Sequence, residues 1–96
     1  MSGLKFTIVG FDPDWSVHPG ATLKELLAEW GITQSELALA IGVSQKHISE
    51  VINDKAGIGT DFAMRLEDVT HVDALFWVRM QAAHDLWRAR QNEVAA

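Results

Sequence analysis

Side chains able to hydrogen-bond an extended ligand recur in one short stretch of the chain. Between Ser44 and Lys55 it reads SQKHISEVINDK. At roughly 100° per residue, Ile48, Val51 and Ile52 fall on one face of a helix. Lys46, Ser49, Glu50 and Asn53 fall on the opposite face, with Gln45 and His47 on its flanks. Such a face offers amides, hydroxyls, an ammonium and a carboxylate, the groups that meet phosphates and base edges. A face that is merely solvated usually carries more Glu and Lys. The plainer alternative is a pair of packed helices in an ordinary bundle.

Other chemistries find less support. The four histidines, His18, His47, His71 and His84, fall on different elements, and none forms a His-x-x-x-His or Glu-x-x-His pair with an obvious partner carboxylate. His18 is expected to cap or pack locally. The chain has no Gly-rich phosphate loop and no Gly-x-Ser-x-Gly elbow. Trp30, Trp77 and Trp87 lie within apolar helical stripes, which suits cores and subunit seams better than a cofactor box. No catalysis, cofactor, metal or small-molecule substrate is expected.

A polar helical face must be held in place by a second element, and the preceding residues supply one. Thr33 followed by Glu36 is a capping box, so a helix begins there. Leu37, Ala38 and Ile41 turn inward, Gly42 stops the run, Val43 anchors the turn and Ser44 caps the next helix. Two helices crossing through a short Gly-containing turn form a helix-turn-helix, whose second helix can enter a DNA major groove. In Gln34, Leu37-Ala38, Gly42-Val43-Ser44, Ile48-Ser49 and Asn53-x-Lys55 the stretch resembles the lambda-repressor-like (XRE) regulators.

Upstream, His18-Pro19-Gly20 precedes a first helix with Leu23, Leu26, Leu27 and Trp30 on one face, closed by Gly31. The string VHPGATLKELLAEWGITQSELA, from Val17 to Ala38, resembles the HigA-family, VapI-like antidote proteins. Downstream, residues 53–59 form a loop in which Ile58 plugs the core. The family usually places Gly where Asp54 stands, and an acidic side chain near the expected phosphate path opposes tight DNA binding. Thr60 is expected to cap a fourth helix with Phe62, Ala63, Leu66 and Val69 inward, and Asp61 at its positive end.

Asp73 begins a last helix, DALFWVRMQAAHDLWRARQ, which resembles the family's closing segment in Phe76-Trp77, Gln81-Ala82 and Asp85-Leu86-Trp87. Its apolar residues form two stripes, Leu75, Val78, Ala82, Leu86, Ala89 and Phe76, Met80, Ala83, Trp87, with Arg79 and Arg90 between them. A surface helix needs one. Phe76, Met80, Ala83 and Trp87 are therefore assigned to a two-fold dimer interface, unless the N-terminal arm or Trp15 covers them. That arm alternates Leu4, Phe6, Ile8 with Lys5, Thr7, Val9, the period of a half-buried strand. It is either disordered or paired with its twin or a partner's sheet.

Ninety-six residues, 48% hydrophobic, suit one small domain with a modest core. Without cysteine no disulfide or thiolate site can assist. No run approaches the eighteen or so apolar residues of a membrane span, so a cytoplasmic location is expected. The net charge of −5 opposes strong non-specific DNA affinity and suits a basic second partner.

The expected fold is all-α: a five-helix lambda-repressor-like domain over residues 17–96, ending in a dimerisation helix, with an extended N-terminal arm over 1–16. The family resemblance implies an antitoxin of a type II toxin–antitoxin pair. It would neutralise a HigB-like mRNA endonuclease toxin and, as a homodimer, repress its own operon at a palindromic operator. It places Gln34 and Ser44 at phosphates, Gln45, Lys46 and Ser49 at base edges with His47 beside them, and Asn53 and Lys55 at the backbone beyond. Glu50 either accepts from a cytosine amino group or pairs with Lys46 one turn earlier. A stand-alone XRE regulator, or a toxin-binding module with little DNA binding, would be the alternatives.

Overall fold

The computed structural model describes the backbone of residues 18–95 and the side chains of 18–93; the arm and the residues Trp15 and Val17 lie outside the described residues. The described residues form five helices: α1 (Pro19–Trp30), α2 (Gln34–Ile41), α3 (Gln45–Ile52), α4 (Thr60–Thr70) and α5 (Ala74–Ala95). None is long and apolar enough to cross a membrane.

Local chemistry sets most boundaries. Pro19 opens α1, and Gly31, at φ 70°, closes it with its N–H on Ala28 O at 3.3 Å. Both arms of the capping box form: Thr33 Oγ1 accepts from the Glu36 N–H at 3.0 Å, and Glu36 Oε1 from the Thr33 N–H at 2.9 Å. Gly42, at φ 77°, ends α2, and Ser44 Oγ accepts from the His47 N–H at 3.0 Å to start α3. The cap of α4 differs from expectation. Gly59 occupies that position without a side chain to offer, and Thr60 is already the first helical residue. Asp73 caps α5, its Oδ1 accepting from the Leu75 N–H at 2.9 Å, and the helix runs past Gln91 to Ala95.

The core joins Leu23 and Leu27 of α1, Leu37 and Ile41 of α2, Ile48, Val51 and Ile52 of α3, and Phe62 and Leu66 of α4, with Ile58 as the loop plug and Trp77 from α5. α1 touches α3 so closely at Gly20 that a Cβ there would lie 1.9 Å from the Val51 carbonyl oxygen. Two expected core residues are outside it: Trp30 is 40% and Val69 37% exposed. Each sits in the last turn of its helix.

α5 departs further from expectation. The stripe drawn through Leu75, Val78, Ala82, Leu86 and Ala89 is not the buried one: Leu75, Ala82, Leu86 and Ala89 are exposed and Val78 is half-buried. The inward stripe runs through Trp77, Gln81 and His84, because two of those polar side chains find partners in the loop after α3.

Candidate nucleic-acid interface

The capped N terminus of α3 fixes which side chains lead outward. Ile48, Val51 and Ile52 are buried, which turns Gln45 and Lys46 into solvent, with Ser49 and Glu50 half-buried behind them. Among the described residues no ion pair joins Glu50 to Lys46, leaving the carboxylate free to accept. Gln34 stands half-buried in the first turn of α2, and Ser44, occupied in capping, is exposed at the turn. His47 is less free than its flank position suggests: its ring packs edge-on against Phe62, centroids 5.2 Å apart. Asn53 folds back, its Nδ2 donating to Ser49 O at 2.9 Å, and so closes the end of α3. Lys55 is exposed beyond it.

Arg65 of α4 holds the turn between the two helices. Its Nη1 donates to Ile41 O at 3.0 Å, meeting an orphan carbonyl at the end of α2, while its Nε donates to Asp61 at 3.1 Å.

The far end of α3 is held by α5. Asp54 adopts a left-handed backbone, φ 60°, which Asp tolerates better than most residues. Its Oδ2 lies 2.9 Å from His84 Nε2 and accepts from Arg88 Nη2, while Oδ1 lies 4.0 Å from His18 Nδ1. Burial pushes the Asp54 carboxyl up, but the hydrogen bonds and positive charge of His84 and Arg88 outweigh it and hold the group below its ordinary value. His84 is 5% exposed and stacks on Trp87, centroids 5.9 Å apart. One turn earlier, Gln81 Oε1 accepts from the Ile58 N–H at 2.8 Å. Asp54 is therefore not an open charge on the phosphate path, since it turns toward α5 and is met there by Arg88.

Gln81, His84 and Arg88 are functional-site supports that spacing-based reasoning passed over. Their signal is the spacing of positions 81, 84 and 88, which sets three polar side chains on one side of the helix. The histidines once separated among elements also meet: His18 and His84 rings lie 5.7 Å apart on either side of the Asp54 carboxylate. Among the described residues they do not complete a three-ligand metal cluster.

The four residues assigned to the dimer stripe divide. Phe76 and Ala83 are exposed, Phe76 standing edge-on to Trp77 at 5.3 Å. Met80 is half-buried, its sulfur accepting from the Thr22 hydroxyl at 3.4 Å, and Trp87 is half-buried on His84. Both therefore work partly within the protomer, while Leu75, Phe76 and Leu86 remain outward.

Residues 23–77 match the model of the helix-turn-helix family. Virulence-associated protein I of Dichelobacter nodosus is 38% identical over 79 residues, which are 81% of this chain and 73% of that protein. Among solved structures, Pseudomonas aeruginosa antitoxin HigA with the higBA promoter superposes with a TM-score of 0.80 at 30% identity, covering 84% of this chain and 89% of that one. An addiction module antidote protein of the HigA family from Coxiella burnetii gives 0.75 at 25% identity, covering 82% and 87%.

Proposed function

The chain belongs to the helix-turn-helix family, and from that premise we propose that it is the antitoxin of a toxin–antitoxin pair, repressing its own operon as a homodimer and neutralising a HigB-like mRNA endonuclease toxin. The observation that carries the DNA half is the recognition face itself. A capped α3 offers Gln45 and Lys46 to solvent, in a fold shared with an antitoxin solved on a promoter.

In this proposal α3 enters the major groove of each half of a palindromic operator. Gln45, Lys46 and Ser49 read base edges, Glu50 accepts from a cytosine amino group, and His47 buttresses them from Phe62. Gln34, Ser44 and Lys55 meet phosphates. Asn53 contributes by closing α3, its Nδ2 donating to Ser49 O and Ser49 Oγ at the end of the helix beside the DNA backbone. Two protomers joined along the outward apolar side of α5, at Phe76 and Ala83 with the edges of Met80 and Trp87, set the two α3 helices about 34 Å apart. The engagement of Asp54 by Arg88 supports DNA binding despite the net charge of −5.

The test is a gel shift on the chain's upstream DNA with Gln45→Ala plus Lys46→Ala. Each specific base contact is worth about 1–3 kcal/mol, so the double substitution abolishes the shift. Circular dichroism and toxin binding stay as in the wild type. Unchanged operator affinity would remove α3 from the interface.

A further inference from the structure

A second surface of unusual composition lies between the last turns of α1 and α4 and the side of α2 that carries Glu36, Leu37 and Ala40. It is a groove of about 310 Å³, floored by Leu27, Ile32, Leu37 and Ala40 and walled by Trp30 and Val69; no residue of α3 or α5 lines it. Leu39, one helical turn from Glu36 on α2, is 86% exposed beside it. Trp30 and Val69 are large apolar side chains left partly in water at the walls of one groove, apart from Leu75, Phe76 and Leu86 of α5, and that grouping is how a docking surface differs from scattered surface residues.

The charged side chain that lines it is acidic, and Arg65, one turn before Val69 on α4, is taken up by Asp61 and the Ile41 carbonyl. Glu36 lines the groove, while Glu29 and Asp68 are exposed and directly precede Trp30 and Val69 in the chain. Among the described residues none of the three has an ion-pair partner. The cation of α1, Lys24, stands about 9 Å back along the helix from Trp30, at about 1.5 Å per residue. An acidic rim repels phosphates, so nucleic acid is a poor occupant. A second copy is poor as well. The outward side of α5, with Arg79 and Arg90 among apolar residues, is the face a second copy would present, and the proposed two-fold dimer already uses it.

We propose that this groove docks a basic segment of a partner protein. One bulky apolar side chain of the partner packs against Trp30 and Val69, and flanking lysines or arginines meet Glu29, Glu36 and Asp68. This rests on the antitoxin reading, in which the partner is the toxin, and it places the toxin on a surface that shares no residue with the recognition face.

The experiment uses the full-length chain and, as probe, the product of the small reading frame beside its gene, with binding, growth rescue and operator shift measured together. Glu29→Lys plus Asp68→Lys reverses exposed charges without touching the core, and Trp30→Ala removes the wall. Each variant is expected to bind the probe at least tenfold more weakly and to lose growth rescue while its operator shift is unchanged. Rising salt should weaken the wild-type complex more than the charge-reversed one. Wild-type-like probe binding by both variants would overturn the groove assignment and leave the antitoxin role standing. A change in the chain's own sedimentation with Trp30→Ala would overturn it in favour of a second copy. A wild-type chain that neither binds the probe nor rescues growth overturns both the groove and the antitoxin reading.

Discussion

α3 and α5 press on the same core and distribute polarity in opposite ways. α3 buries Ile48, Val51 and Ile52 and turns its polar side chains outward. α5 buries Trp77 beside His84, keeps Gln81 half-buried, and leaves Leu75, Phe76 and Leu86 in solvent. Gln81 and His84 sit inward because they are paired, and a group of large apolar side chains left outside is a surface that another molecule can cover. α3 is thus a helix with an apolar inner face and a polar outer one. α5 is a helix whose inner face serves its neighbours and whose outer face is unfinished.

That contrast can be broken experimentally. Trp77 is fully buried and ties α5 to the core, so Trp77→Ala should cost about 3–5 kcal/mol. Denaturant unfolding checks it, and a loss below about 1 kcal/mol would make α5 an appendage rather than a wall. Next in size is Gln81→Leu, which should destabilise by about 1–3 kcal/mol because the Ile58 N–H loses its acceptor. A gain in stability would mean that the polar interior of α5 is incidental.

The smallest effect concerns acid. The folded pKa of Asp54 is lowered, so its contribution is present in full above the ordinary carboxylate value, about 3.9, and is lost as pH falls through the lowered one. An acid scan should therefore show an extra loss of stability below about pH 4 that Asp54→Gly lacks. The left-handed backbone at this position suits glycine, so the two proteins should differ little in foldedness at neutral pH. Identical acid limbs would mean that His84 and Arg88 do not hold the carboxylate.

The legible parts share one property: their partners are close in sequence. The Thr33–Glu36 box, the Ser44 cap and the Gly42 stop each join groups three or four residues apart, and the structure has all of them. The inward stripe of α3 follows from the same period. Trp30 and Val69 were assigned inward because periodicity gives the side of a helix. It does not give how far the neighbouring helix extends, and both residues, in the last turns of α1 and α4, are left exposed. Asp54 drew notice only as a negative charge, since the groups that meet it lie 30 and 34 residues away.

From sequence alone, then, come most helix boundaries, the two crossing helices and the outward lead of Gln45 and Lys46, because caps, turns and periodicity act over a turn or two of chain. Only tertiary structure decided which of three possible sides of α5 faces inward, that Gln81 and His84 belong there, and that an acidic apolar groove opens between α1, α2 and α4. Those outcomes depend on which distant group arrives opposite each side chain, and a hydrogen bond across 23 or 30 residues leaves no periodic trace.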